Sequence, residues 1–193
     1  LNSENSSGVG IDPNTGFTTY TRKGDNKVLT NIKKYIKDTY IHNVPNFPQD
    51  GVSFKDISPL LKSSYFPKLI KEMTKKVSLP DYWVGIDSRG FIFASALSIQ
   101  TDKGMIMCRK KGKLPPPVVS ETYSLEYGKD TLEIQPGNGN VVIVDDVYAT
   151  GGTMDAVEKL CKKAGYTVIG KLVLIDLKYL HEPTDVKSLI QYE

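Results

Sequence analysis

Val141–Thr153, VVIVDDVYATGGT, is the stretch from which the rest of the chain is best read. Val141, Val142, Ile143 and Val144 form a continuous β-branched run, the composition of a strand buried on both faces. Asp145 and Asp146 end the run. Gly151 and Gly152 follow, and then Met154, Val157, Leu160, Cys161 and Ala164 recur at helical spacing. Between strand and helix, Ala149, Thr150, Gly151, Gly152 and Thr153 can turn backbone N–H groups inward, while the helix start adds unpaired donors and partial positive charge. That is a phosphate cradle. It lacks the lysine of a P-loop, and its spacing does not fit GxGxxG, which argues against a nucleoside triphosphatase or a dinucleotide reader. Two carboxylates repel a phosphate at close range and suit vicinal hydroxyls instead, met directly or through a magnesium-bound water. A phosphate on one side and a diol on the other describe a ribose 5-phosphate. A tight turn with an acidic cap explains the glycines and aspartates separately, but not their order.

Working outward, YWVGID, GMIMCR and TVIGKLVLID read as further strands, with GFIFASALSIQ as a helix between the first two. Near-continuous apolar strands separated by helices predict an α/β fold, a parallel sheet flanked by helices. Leu29, Ile32, Ile36 and Tyr40 predict an earlier amphipathic helix. Ser64 and Pro67 open another, with Leu69, Ile70, Met73 and Val77 on its apolar face. The proline-rich segment between these helices reads as an ordered loop. In YSLEYGKDTLEIQ, two alternating runs flank Gly128, Lys129 and Asp130, a hairpin signal. Residues 1–27, rich in Asn, Ser, Thr and Gly, read as a disordered extension. Residues 28–193 read as a single domain.

Ligands of open parallel sheets bind beyond the carboxyl ends of the strands. Three polar clusters fall there: Asp87–Gly90 after Ile86, Arg109–Lys113 after Cys108, and the acidic pair with its glycine turn after Val144.

Charge is unevenly spread. Residues 28–113 carry 15 Lys and Arg against 7 Asp and Glu, and residues 114–193 carry 7 against 12. A basic first half suits an anionic ligand, although Lys33, Lys34, Lys37, Lys71, Lys75 and Lys76 read as solvated helix faces. Two cysteines and two histidines with no metal-ligand spacing indicate neither a disulfide scaffold nor a zinc site. His42 and His181 lie outside every cluster and are assigned to surface or packing. No apolar run approaches the roughly 20 residues that span a bilayer, and the N-terminus has no signal-peptide pattern. The expectation is a cytoplasmic protein with no membrane partner.

At this point the sequence resembles a known family. VVIVDDVYATGGT is similar to the 5-phosphoribosyl 1-pyrophosphate (PRPP) motif of type I phosphoribosyltransferases, whose fold is a parallel sheet flanked by helices with a small hood. PNFPQDGVSFKDISPLL, GIDSRGFIF, RKKGKLP, YSLEYGKDTLEIQ and LIQYE narrow the resemblance to the adenine-specific members, over about residues 40–193. It implies conversion of adenine and PRPP to AMP and pyrophosphate with Mg2+, a homodimer, a hood near 40–62 and a mobile loop near 110–135. Asp145 and Asp146 would hold the ribose hydroxyls, and Ala149, Thr150, Gly151, Gly152 and Thr153 the 5-phosphate. Asp87, Ser88 and Arg89 would meet pyrophosphate and base, with a strained peptide after Asp87, and Arg89 would also contact adenine. Arg109, Lys110 and Lys113 would neutralise pyrophosphate, with Arg109 reaching toward a partner subunit's site. Ser53, Phe54 and Lys55 would form the adenine pocket, and Glu126 would be the catalytic acid/base. No residue is implied as a direct metal ligand; Mg2+ would be held mainly by PRPP, with a water linking it to Asp145 or Asp146. Lys55 stands where the family often has Arg, which weakens a bidentate role. LPPP replaces a common LPGP, and Pro116 should stiffen the loop carrying Arg109 and Lys113.

Two other readings use the same residues. A transferase for another nucleobase would share the ribose-phosphate half of the site. A PRPP-sensing regulator would use the basic half to bind nucleic acid, but it would need neither Glu126 nor a basic loop for a leaving group, so no nucleic-acid partner is expected.

Overall fold

The computed structural model describes the backbone of residues 8–11, 18–21, 25–125 and 128–193, and the side chains of residues 32–123 and 128–193. The chain forms two compact units, Leu1–Lys62 and Ser63–Glu193.

In the first unit, β1 (Gly8–Ile11) and β2 (Thr18–Thr21) pair antiparallel inside the segment read as an extension. Helix α1 (Asp25–Tyr40) spans the 27/28 position taken as the domain start. β3 (His42–Pro45) and β4 (Ser53–Asp56) pair antiparallel, with Val44 opposite Phe54 and Asn43 opposite Lys55. Pro45, Pro48 and Gly51 give this segment the composition of a loop, which is what the sequence alone predicts. These residues fall at the end of β3 and in the connection, where Asn46 and Gly51 take positive φ of 55° and 83°. A short α2 (Ser58–Leu61) follows.

The second unit holds α3 (Phe66–Thr74), β5 (Tyr82–Ile86), α4 (Arg89–Thr101) and β6 (Gly104–Lys110). It continues with β7 (Val119–Leu125), β8 (Gly128–Ile134), β9 (Asn140–Tyr148), α5 (Gly152–Lys163), β10 (Thr167–Leu177) and β11 (Lys187–Tyr192). Among the described residues the sheet has seven strands in the order β11-β10-β9-β5-β6-β8-β7. The first five run parallel, and the β7–β8 hairpin adds an antiparallel edge.

Val141, Val142, Ile143 and Val144 have no exposed surface, as the continuous apolar run requires. Each buried aliphatic chain contributes roughly 1.5–3 kcal/mol relative to exposure, which makes β9 a firmly held platform. Val141 and Ile143 join Met154, Val157, Leu160 and Cys161 of α5 in one cluster. Helix α4 covers the sheet with Phe93, Ala94 and Leu97, and Phe93 meets Phe66 of α3 edge-to-face at 5.7 Å between ring centroids. Helix α3 ends at Thr74, so Val77 lies beyond the helix that the spacing predicts to include it.

The hairpin has a different register from the one expected. Leu125 pairs with Gly128, Ser124 with Lys129 and Tyr123 with Asp130. Gly128, Lys129 and Asp130 thus belong to β8 and not to the turn. Glycine next to two polar residues is a turn signal by composition, and here the cross-strand pairing overrides it.

Candidate active site

The chain leaves β5 through α4 toward β6 on one side, and β9 through α5 toward β10 on the other. The order reverses between β5 and β9, and the crevice beyond their carboxyl ends is where an open α/β sheet receives ligands. The Asp87–Ser88 connection into α4 and the end of β9 with its Ala149–Gly151 turn into α5 flank it, and the loop after β6 begins at the adjacent strand.

Successive side chains of a strand alternate between faces. Asp145 therefore follows Val141 and Ile143 toward the α5 side, and Asp146 follows Val142 and Val144 toward the α4 side. There Arg89, the first residue of α4, places Nε 2.8 Å from Asp146 Oδ2. Gly90 permits this approach, because a Cβ on it would stand 2.7 Å from the Val144 carbonyl oxygen. A cation at a helix start opposes the helix dipole and calls for an anion; in this structure Asp146 is that anion. The Arg89–Asp146 pair is close without being hydrogen-bonded: Asp146 Oδ2 is buried and has no hydrogen-bond partner among the described residues. Asp145 Oδ1 accepts the Asp146 backbone N–H at 2.9 Å.

Burial and then the charge of Asp146 push the Asp145 carboxyl well above the ordinary carboxylate range. Burial also raises Asp146, opposed chiefly by Arg89. A buried carboxylate oxygen without a donor is costly alone and favourable once a hydroxyl donor reaches it.

Beyond the pair, a cavity of about 90 Å3 is lined by Asp145 and the loop from Val147 to Met154. It is far below the roughly 300–1,000 Å3 of a whole-ligand pocket, which suits a subsite. Gly151 turns the loop with φ 92°, ψ −17°. Tyr123 of β7 packs against the core cluster that includes Met154 and Val157 of α5.

The Asp87–Ser88 peptide is cis. Arg109 Nε lies 3.3 Å from Asp87 Oδ2, and Arg109 Nη1 donates to the Lys113 carbonyl at 3.1 Å. Lys110 Nζ is 3.2 Å from Asp130 Oδ2 on β8, a bond that raises its pKa. The Gly112 N–H donates to Glu133 Oε2 at 2.9 Å. Arg109 and Lys110 thus end β6, paired with Glu133 and Leu132 of β8, Lys113 lies just beyond the strand, and Arg109 links the group through Asp87 to the crevice.

In the first unit, Lys55 is buried and its Nζ donates to Asn43 Oδ1 at 3.0 Å. Burial, then the charge of Lys37, lowers its pKa. The Ser53 hydroxyl donates to the same oxygen, and Phe54 meets Phe47 edge-to-face at 5.1 Å. Glu126 lies outside the described residues. Cys108 and Cys161 are buried free thiols, and burial pushes Cys161 up to about 12 and Cys108 higher.

Sequence reasoning did not find Tyr148, Asp176 and His181. His181, expected at the surface or in packing, packs its ring against Tyr148 and brings Nε2 to 2.7 Å from the buried Asp176. The three come together only through the β9–β10 pairing, which leaves no local spacing to read.

A mostly parallel sheet with a glycine-turned loop and an Asp–Asp pair at its switch point is the arrangement of a phosphoribosyl-transferring enzyme. The phosphoribosyl transferase domain model matches residues 60–188. The adenine phosphoribosyltransferase of Hydrogenovibrio crunogenus is 47% identical over 172 residues, covering 84% of this chain and 99% of that protein. That of Bdellovibrio bacteriovorus is 46% identical over 159 residues, covering 79% and 96%. The crystal structure of the Rhodothermus marinus enzyme superposes with a TM-score of 0.73 at 37% identity, covering 84% of this chain and 99% of that one. The Saccharomyces cerevisiae enzyme, complexed with an imino-altritol bisphosphate and adenine, gives 0.72 at 32%, covering 83% and 99%. The chain belongs to the adenine phosphoribosyltransferase family and has the type I phosphoribosyltransferase fold.

Proposed function

We infer that this chain transfers the 5-phosphoribosyl group of PRPP to adenine, giving AMP and pyrophosphate. A ring nitrogen of adenine bonds to C1 of the ribose, the bond from C1 to the pyrophosphate oxygen breaks, and the nitrogen's proton leaves. The observation that carries the residue assignment is the pair of half-buried Asp145 and buried Asp146, with Asp146 Oδ2 lacking a donor, beside the glycine-turned cavity.

In this reading Asp145 and Asp146 accept from the ribose hydroxyls, and Ala149, Thr150, Gly151, Gly152 and Thr153 hold the 5-phosphate. Asp87, Ser88, Arg89, Arg109, Lys110 and Lys113 meet the leaving pyrophosphate, where cations stabilise the charge that develops as the bond breaks. Ser53, Phe54 and Lys55 read adenine, with Arg89 assisting, and Glu126 acts as acid/base at its ring.

The donor set suits magnesium carried by the substrate. No group of three His, Cys, Asp or Glu positioned to bind a metal occurs among the described residues. Direct ligation by Asp146 Oδ2 would also bring a cation against Arg89. Asp145 or Asp146 would be reached through a bound water, in keeping with magnesium's reluctance to dehydrate. When bound, Mg2+ supplies neutralisation of the pyrophosphate oxygens. We further propose a homodimer and a cytoplasmic location. The two buried free thiols suit a reducing compartment, and no described helix is long and apolar enough to cross a membrane.

The test is product formation from labelled adenine and PRPP. AMP and pyrophosphate in equal amounts support the reading. Activity only with another base, or PRPP binding without turnover, overturns it.

A further inference from the structure

Beneath the phosphate loop lies a group of residues that the reaction does not use directly. Asp176 of β10 is the register partner of Tyr148 of β9. His181 Nε2 is 2.7 Å from Asp176 Oδ1, and His181 Nδ1 is 2.7 Å from the Glu182 carbonyl oxygen. A carboxylate and a carbonyl only accept, so satisfying both requires an N–H on each ring nitrogen. A neutral imidazole has only one. The geometry therefore selects the imidazolium.

The ring stands edge-to-face against Tyr148, with centroids 4.6 Å apart at 81°. Tyr148, 7% exposed, lines the loop cavity, and its hydroxyl fills the space that a Cβ on Gly151 would enter, 2.5 Å away. Hence a chain of direct contacts runs from Asp176 through His181 and Tyr148 to the glycine that turns the loop.

We propose that His181 is a positioning residue for the phosphate loop: held as an imidazolium by Asp176 and the Glu182 carbonyl, it fixes Tyr148 under Gly151 and so tunes affinity for the 5-phosphate end of the substrate. The inference rests on reading Ala149–Thr153 as the 5-phosphate cradle. The charged and titratable groups facing His181 are Asp176 on β10, Tyr148 on β9, and Lys178 in the 3-10 turn Lys178–Leu180, which is 3.8 Å from Glu193. The Glu182 carbonyl and Asp176 raise the histidine's pKa against the opposing effects of burial and Lys178. Deprotonation removes one of the two ring hydrogen bonds, frees the ring to turn, and withdraws a positive charge from beneath an anion site.

The chain has two histidines, so a His42→Gln background leaves His181 as the single imidazole signal in a proton NMR titration of the full chain. Ribose 5-phosphate is the probe. Coupling of about fivefold, the low end of ordinary site-to-site coupling, raises the His181 pKa by about 0.7 on binding, because linkage is reciprocal. His181→Gln should weaken ribose 5-phosphate about fivefold at pH 7 by calorimetry and raise the PRPP KM equally, with kcat and adenine KM within about twofold of wild type. His181→Arg, permanently charged, should bind ribose 5-phosphate with affinity that does not fall between pH 7 and 9, unlike wild type. An unmoved His181 titration in the presence of bound ribose 5-phosphate overturns this inference alone. So does a His181→Gln variant with lowered melting temperature but unchanged affinity and pH profile. No ribose 5-phosphate binding to wild type overturns the cradle reading itself, and this inference with it.

Discussion

Arg89 Nε stands 2.8 Å from Asp146 Oδ2, yet that buried oxygen accepts no hydrogen bond among the described residues. The pair joins the two sides of the crevice: Arg89 opens α4 after β5, and Asp146 follows the apolar run of β9. Proximity supplies Coulomb attraction, while the missing hydrogen bond leaves a lone pair for a ligand's hydroxyl. Removing one partner from a buried pair costs about 3–5 kcal/mol, but Arg89 is 32% exposed and water can partly replace it. Arg89→Ala is therefore expected to lower stability by about 1–2 kcal/mol in urea unfolding, after discounting for that solvent access. Asp146→Asn in the same chain should recover most of the loss, as a double-mutant cycle would read out. Additive effects would mean that the pair is not coupled.

The neighbouring carboxyl leads to a trade between stability and binding. Burial, then Asp146, raises the folded-state pKa of Asp145. Its folded form thus holds a proton that the unfolded chain releases near pH 4, and stability falls as pH rises from there through the folded value. Asp145→Asn removes this cost and should raise Tm at neutral pH by roughly 2–4 °C, the shift that about 1 kcal/mol gives in a chain of this size. The same change removes a charge-assisted bond worth roughly 1.5–3 kcal/mol, weakening PRPP about 10- to 100-fold by calorimetry. Normal PRPP binding would exclude Asp145 from the diol site.

The parts of this arrangement that the sequence reveals are those encoded by local pattern. β5 and β9 are legible because strands buried on both faces must be apolar throughout, and the crevice residues are legible because they follow those strands directly. The β3–β4 pairing is hidden, since its prolines and glycine carry a loop composition while four-residue strands leave little room for alternation. The hairpin turn is misread because Gly128 is the obvious breaker, and only cross-strand register assigns it to β8. Lys110 with Asp130, Arg109 with Asp87, and His181 with Asp176 and Tyr148 are contacts between separate elements, and no spacing announces them.

His181 also makes a prediction about stability that is independent of any ligand. Its folded pKa is raised, by the Glu182 carbonyl first and then by Asp176. Its stabilising contribution is fully present below the unfolded value near 6.5 and is lost as pH rises through the folded value. The Tm difference between wild type and His181→Gln should therefore be largest near pH 6 and shrink toward pH 9. A difference that stays constant over that range would mean the histidine is held neutral.

Glu126, which lies outside the described residues, is the group proposed to act on the base. Positioned acid/base groups contribute on the order of 10²–10⁴ in rate. Glu126→Ala should lower kcat by that order while leaving PRPP affinity within about twofold, since only a transition-state interaction is removed. Near-normal turnover at saturating substrate would remove Glu126 from the chemistry.

Base choice is where Ser53, Phe54 and Lys55 can be tested separately. Adenine presents an amino donor beside an unprotonated ring nitrogen, whereas hypoxanthine and guanine present a carbonyl beside an N–H. The side chains of Ser53 and Lys55 both donate to Asn43 Oδ1, so each is already engaged within its own hairpin. If the backbone groups of these residues read the adenine edge, the wrong purines set donor against donor and acceptor against acceptor. A buried polar site can reject such a mismatch by roughly 10⁴ or more, because its groups are left desolvated and unpaired. Ser53→Ala should then keep the preference, having lost only the bond to Asn43. Phe54→Ala should weaken all three purines alike by removing a stacking surface worth roughly 0.5–1.5 kcal/mol beyond its buried area. Lys55→Arg should not sharpen the preference, because Asn43 offers one carbonyl oxygen and no bidentate partner. Steady-state comparison of the three bases decides the matter: comparable kcat/KM for hypoxanthine or guanine would exclude edge reading by this hairpin, and a collapse of the preference in Ser53→Ala would move the reading from backbone to hydroxyl.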